Sequence, residues 1–213
     1  MSRVLTDDKR TREIAAEILA DGGVLAFRTD TFYGLGADPF NREALRKINS
    51  LKGREGGKPI LLIISDSQEA ARLIAARTEL FDKLAKRHWP GPLTLVAAAH
   101  SDAPDELTAG SGTIGVRLPD DEEVRAFVRN MGGALTATSA NLAGEPPART
   151  AAEVLDYFPA QLDLIVDSGP APGGLPSTVL DVSGPLPRLV REGVVTKGTL
   201  QTTLQELGVD IEL

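Results

Sequence analysis

The chain has 213 residues, 42% of them hydrophobic and only 4% aromatic, so an aliphatic core is possible while a platform of several stacked rings is excluded. With no cysteine, disulfides and thiolate chemistry are excluded, and the polar start at Asp7, Asp8 and Lys9 signals neither export nor a membrane anchor, so a cytoplasmic location is expected. The net charge of −7 opposes loose binding to nucleic acid, whose affinity comes mainly from lysine and arginine on phosphates.

Ile14, Ala15, Ile18 and Leu19 recur at helical spacing until Gly22-Gly23, after which Val24 to Phe27 reads as a buried strand. Asn41 can cap a helix to about Leu51, and Pro59 to Ile64 is a second aliphatic strand. Ser65-x-x-Gln68 has the form of a capping box, a helix is predicted over 79–88, and Pro90-Gly91-Pro92 forces a turn. Strands are predicted over 93–97, 113–118 and 134–137, with a helix over 122–130. Thr150-x-x-Glu153 opens a helix to about Tyr157; strands over 164–166, 179–182 and 188–190 precede a C-terminal helix over about 199–207. The segment Pro170 to Pro176 reads as a surface connection. Helices and strands alternate without strict order. The expectation is an α+β (mixed α/β) fold: a single domain over 1–213, with its core over about 10–195 and a twisted mixed parallel and antiparallel sheet covered by helices.

Between Arg42 and Lys58 six basic residues stand against Glu43 and Glu55, a candidate site for a small anion in an acidic chain. The run Gly53 to Pro59 is not a P-loop, since only three residues separate Gly53 from Gly57-Lys58 and proline replaces the serine or threonine. Its glycines can still turn Lys52, Arg54 and Lys58 toward one point; the alternative is a solvated basic loop. Thr29-Asp30-Thr31-Phe32-Tyr33-Gly34-Leu35-Gly36 follows the first strand, offering hydroxyls at a strand end or a polar turn with Tyr33 over the core. Ser139-Ala140-Asn141, Ser177-Thr178 and Arg191-Glu192-Gly193 also lie beside predicted strands, while Thr113 and Arg117 are four apart and share a strand face. His88 and His100 have no nucleophile motif near them and read as structural or solvent-facing; no residue spacing suggests a metal cage.

Taken together and in order, these segments resemble the YrdC-like family of threonylcarbamoyl-AMP synthases. Lys52-Gly53-Arg54 and Ser139-Ala140-Asn141 match its Lys-x-Arg and Ser-x-Asn hallmarks, and the likeness runs from about Gly22 to Val194. Trp89-Pro90-Gly91-Pro92-Leu93-Thr94, Gly115-Val116-Arg117 and Ser177-Thr178-Val179 match in sequence order. The resemblance implies a YrdC-like fold with a central cleft and a nucleotidyltransferase that condenses ATP, bicarbonate and L-threonine for tRNA N6-threonylcarbamoyladenosine modification. It implies catalytic roles for Lys52 and Arg54, ATP binding by these two with Lys58, Thr113, Ser139, Asn141 and Arg191, and threonine binding by Thr31, Arg117 and Ser177. Magnesium would arrive with ATP, and the product would pass to a tRNA threonylcarbamoyltransferase. The chain departs from the family pattern at Arg28 and Glu55, where proline is usual, and at Asp121, near a common histidine. It would be the short form that lacks a second domain. Alanine at Lys52 or Arg54 is expected to cost activity far more than folding. The alternative is a non-synthase YrdC-like protein binding tRNA or double-stranded RNA.

Overall fold

The computed structural model describes residues 2–53 and 58–209, which form two mixed sheets and eight helices. One sheet sets β1 (Val4–Thr6), β9 (Leu164–Asp167), β2 (Leu25–Arg28), β3 (Tyr33–Gly36) and β8 (Thr138–Ser139) side by side. The other runs β11 (Arg188–Arg191), β10 (Thr178–Asp181), β5 (Leu93–Ala98), β6 (Thr113–Arg117), β4 (Leu62–Ile64) and β7 (Ala134–Thr136). The helices are α1 (Lys9–Ala20), α2 (Arg42–Leu51), α3 (Ala70–Leu73), α4 (Glu79–His88), α5 (Asp105–Thr108), α6 (Glu122–Asn130), α7 (Ala151–Tyr157) and α8 (Lys197–Glu206).

The mixed pairing matches the sequence expectation, but two sheets replace the one expected. The change of sheet falls inside the predicted strand 134–137. Thr136 still pairs with Leu62, while its hydroxyl donates to Leu35 O at 3.0 Å and accepts from Ala37 N at 2.8 Å, both on the other sheet's side. Two residues later Thr138 pairs with Leu35. An aliphatic run reports burial and not the partner, so the crossing leaves no mark in the pattern.

Strand β3 also replaces part of an expected polar turn. Only Thr29 to Phe32 turn, closed by Thr29 N to Phe32 O at 3.0 Å, and Tyr33 pairs with Arg28 across the hairpin. Gly36 has to be small here, because a Cβ would stand 2.9 Å from the Phe27 ring. Tyr33 is fully buried and its hydroxyl donates to Gly169 O at 2.8 Å. Burial, reinforced by Asp167, pushes that phenol up to about 12.

Most helix starts follow their sequence signals. Asn41 Oδ1 accepts from Ala44 N at 3.0 Å and Thr150 Oγ1 from Glu153 N at 3.2 Å. The box at Ser65 does not form. Asp66 takes the Ser65 hydroxyl at 3.0 Å and Gln68 N at 2.9 Å, and the short α3 begins beyond them without a side-chain cap. An aspartate that bonds the backbone two residues on competes with a helix start, and the rule overlooked it.

The period of two along β2 divides the interior. Val24 and Ala26 join the larger core with Leu62, Leu95, Val116 and Leu180, while Leu25 and Phe27 join a second one under α1 and α6. There the Phe27 and Phe127 rings stack at 5.3 Å. Both sheets contribute to each core, so strand ends from the two sheets are held side by side at the candidate site.

Candidate active site

Lys52 caps the end of α2 and is buried. Its ammonium donates to Ser139 O and Asn141 O, each at 2.7 Å, and to Asn141 Oδ1 at 2.6 Å. Three short contacts match the three N–H groups of a lysine. Ser139 Oγ also donates to Asn141 Oδ1 at 2.6 Å, and the Asn141 amide donates to Glu145 O. The two hallmark motifs therefore meet, with Lys52 holding the shape of the 139–141 segment. A buried cation with backbone acceptors is part of the fold, so alanine here should cost some stability beside the larger loss of activity expected.

A second group stands at the ends of β6, β10 and β11. Arg117 closes β6 and is buried, and its Nη1 donates to Asp30 Oδ1 and Oδ2 at 2.6 and 2.5 Å. Arg191, at the end of β11, donates to Ser177 O through Nη2 at 2.9 Å and through Nε at 3.2 Å. It also reaches Ser177 Oγ at 3.2 Å, and Thr94 Oγ1 lies 3.0 Å from the same oxygen. The protein around the partly buried Arg191 guanidinium and then the charge of Arg117 hold its pKa below the usual arginine value. Arg191 thus stands close enough to Arg117 to feel its charge.

The Thr29–Phe32 turn lies between the groups. Asp30 belongs to the arginine side. Gly34 pairs with Ser139, and a Cβ on it would stand 3.5 Å from the Thr29 methyl. Thr31 Oγ1 lies 3.2 Å from Thr29 Oγ1, and Thr31 O accepts from Gly173 N at 2.8 Å. The 170–176 segment, expected as a plain surface connection, is thereby bonded to the turn.

Thr113 and the two histidines fall elsewhere. Thr113 shares a face with Arg117, but it sits at the far end of β6, paired with Ala98 and 2.9 Å from Ser111 Oγ. Four residues of strand separate them by roughly 13 Å, so sharing a face is not sharing an end. Lys58 is exposed, and Arg54 lies outside the described residues. Much of the basic segment is spent on ion pairs: Arg42 and Arg46 meet Glu106 at 3.2 and 2.8 Å, and Lys47 meets Asp163 at 2.7 Å. Its footprint for RNA shrinks accordingly. His88 lies 3.2 Å from Thr203 and His100 2.7 Å from Asp102, neither in the groups above. Among the described residues no group of three or more His, Cys, Asp or Glu side chains could hold a metal ion, and no helix is long and apolar enough to cross a membrane.

Asp30 is the site residue that reading the sequence left without a role. Its signal was present: a carboxylate at a strand end, in a chain with an arginine inside an aliphatic strand, calls for that arginine as partner.

The family model Sua5_yciO_yrdC, described as "Telomere recombination", matches residues 17–193. The threonylcarbamoyl-AMP synthase of Bacillus subtilis is 36% identical over 206 residues, 96% of this chain and 59% of that protein. That of Thiobacillus denitrificans is 39% identical over 165 residues, 78% of this chain and 87% of that protein. The crystal structure of Pyrococcus abyssi Sua5 complexed with L-threonine aligns with a TM-score of 0.88 at 31% identity, covering 97% of this chain and 61% of that one. The chain therefore spans about three fifths of the length of the Bacillus and Pyrococcus proteins.

Proposed function

The chain belongs to the family that unites Sua5, YciO and YrdC, and from that premise we propose that it is an L-threonylcarbamoyladenylate synthase. The α-amino nitrogen of L-threonine adds to bicarbonate with loss of water, giving a carbamate. A carbamate oxygen then attacks the α-phosphorus of ATP, the bond to the bridging oxygen breaks, and pyrophosphate leaves with that electron pair. Nothing in this sequence requires a nucleophilic side chain. The difficulty is holding two anions together, and fixed cations that need no rearrangement lower that cost.

The observation that carries the reading is that Arg117 and Arg191 stand at the ends of β6 and β11 in one sheet, Arg117 bonded to Asp30 of the Thr29–Phe32 turn and Arg191 to Ser177. In this reading Arg191, Arg54 and Lys58 face the triphosphate, and Ser139 and Asn141 orient the nucleotide while Lys52 keeps them in shape and adds its charge. Thr31, Arg117 and Ser177 take threonine; Arg117 meets Asp30 through Nη1 alone, leaving donors for a substrate carboxylate. Thr113 would meet the nucleotide from the other end of β6. Magnesium arrives on the ATP phosphates, where it would offset their charge. The reaction takes place in the cytoplasm, and the product passes to a tRNA threonylcarbamoyltransferase.

Purified protein incubated with ATP, bicarbonate and L-threonine should release pyrophosphate and form an adenylate only when threonine is present. Pyrophosphate release indifferent to threonine, or none at all, refutes the synthase; retention of tRNA at moderate salt without pyrophosphate points to the RNA-binding alternative. Arg191→Ala should lower kcat/KM for ATP about a hundredfold, the scale of losing one preorganised charge contact.

A further inference from the structure

Two ion pairs of opposite polarity join the same two segments. Arg28, the last residue of β2, meets Asp121 with Nη2 3.0 Å from Oδ2. Two residues on, Asp30 meets Arg117 at 2.6 and 2.5 Å. Each segment thus presents one cation and one anion, and the pairs run in opposite senses across the gap. Sliding either segment would set like charges against each other.

The outer pair is built and not incidental. Its side chains are only 17% and 19% exposed, so water and salt screen it weakly. Asp121 is itself fixed, its Oδ1 accepting from Glu123 N at 3.0 Å and Val124 N at 3.2 Å as the cap of α6. Arg28 Nε is buried without a hydrogen-bond partner, so the guanidinium is held toward Asp121 even though one of its donors goes unmet.

We propose that the Arg28–Asp121 ion pair is a positioning device: it anchors the Thr29–Phe32 turn to the start of α6, fixes Thr31 relative to Arg117, and so sets the affinity for the amino-acid substrate. This rests on the synthase reading, in which Thr31 and Arg117 take threonine. Neither Arg28 nor Asp121 touches substrate.

Asp121→Asn keeps an oxygen for the helix cap and removes the charge, and Arg28→Met keeps the aliphatic stem. Each should raise KM for L-threonine about tenfold while kcat and KM for ATP move by less than about twofold. The double variant should be no worse than the more affected single one, because both remove the same interaction, and Arg28→Lys should recover part of the loss. Thermal melts check folding; if Arg28→Met does not fold, Asp121→Asn decides alone. Wild-type activity with an unmoved threonine KM in folded variants, or an equal rise in KM for ATP, overturns this inference and leaves the synthase standing. A wild-type protein that releases no threonine-dependent pyrophosphate removes both.

Discussion

The ammonium of Lys52 is what joins the two hallmark motifs, and removing it takes the donor from the buried Asn141 carbonyl and leaves Ser139 O only the Asn141 N–H at 3.1 Å. Lys52→Ala should therefore cost about 1–3 kcal/mol of stability in denaturant titration, as well as activity, the usual range for unsatisfied buried acceptors. A variant as stable as wild type would show that the 139–141 segment keeps its shape without the lysine. The charge of Lys52 was legible in the sequence, and its destination was not. Its acceptors are mainly backbone carbonyls 87 and 89 residues away, which every residue type supplies and no motif advertises. Arg117 was easier, because a cation within an aliphatic strand demands a partner; the first partner is Asp30, from inside the protein.

Strand β11 delivers Arg191, and the glycine after it allows the approach. A Cβ on Gly193 would stand 2.1 Å from Pro176 O, while Gly193 N donates to Thr178 Oγ1 at 2.9 Å and Val194 N to Pro176 O at 3.0 Å. Gly193→Ala must push the end of β11 off the 176–178 segment and draw Arg191 away from Ser177. It should cost about 1–3 kcal/mol, as overpacking does, and lower kcat/KM for ATP. Gly184→Ala is the matched control, since its Cβ would meet only Leu186 O at 3.9 Å, and it should stay within about 0.5 kcal/mol of wild type. Equal losses in both variants would rule out the close-approach explanation. Elements with a clear period were readable: α2, α4, α6 and α7 fall where apolar spacing and caps put them. The short β1, β8 and α5 were not, because two to four residues hold too little of any period. The C-terminal helix starts two residues earlier than expected, at Lys197, since Thr196 caps it by accepting from Thr199 N at 3.1 Å.

At the scale of the molecule, composition and alternation conveyed the mixed fold but not its division into two sheets, between which the chain crosses at Thr136. The C-terminal helix α8 closes the larger core with Leu200 and Leu204, and His88 at the end of α4 ties it down. The Thr203 hydroxyl donates to Thr199 O at 3.0 Å, so its oxygen accepts from the His88 Nε2–H at 3.2 Å. Burial, and then the charge of Arg87, lowers the His88 pKa below its ordinary 6.5, so the folded protein resists the proton that the unfolded chain accepts. In that window the unfolded state binds more protons, and stability must fall as pH drops through 6.5 toward the lower folded value. Carboxylates with lowered pKa, such as Glu79 and Glu122, act in a separate window below their ordinary 4.5. Denaturant titrations at about pH 7.5 and about pH 5.5 should therefore show the wild type losing stability across the interval and His88→Gln losing much less. If both lose the same amount, the acid sensitivity belongs to another group, and the contact between α4 and α8 does not depend on a neutral His88.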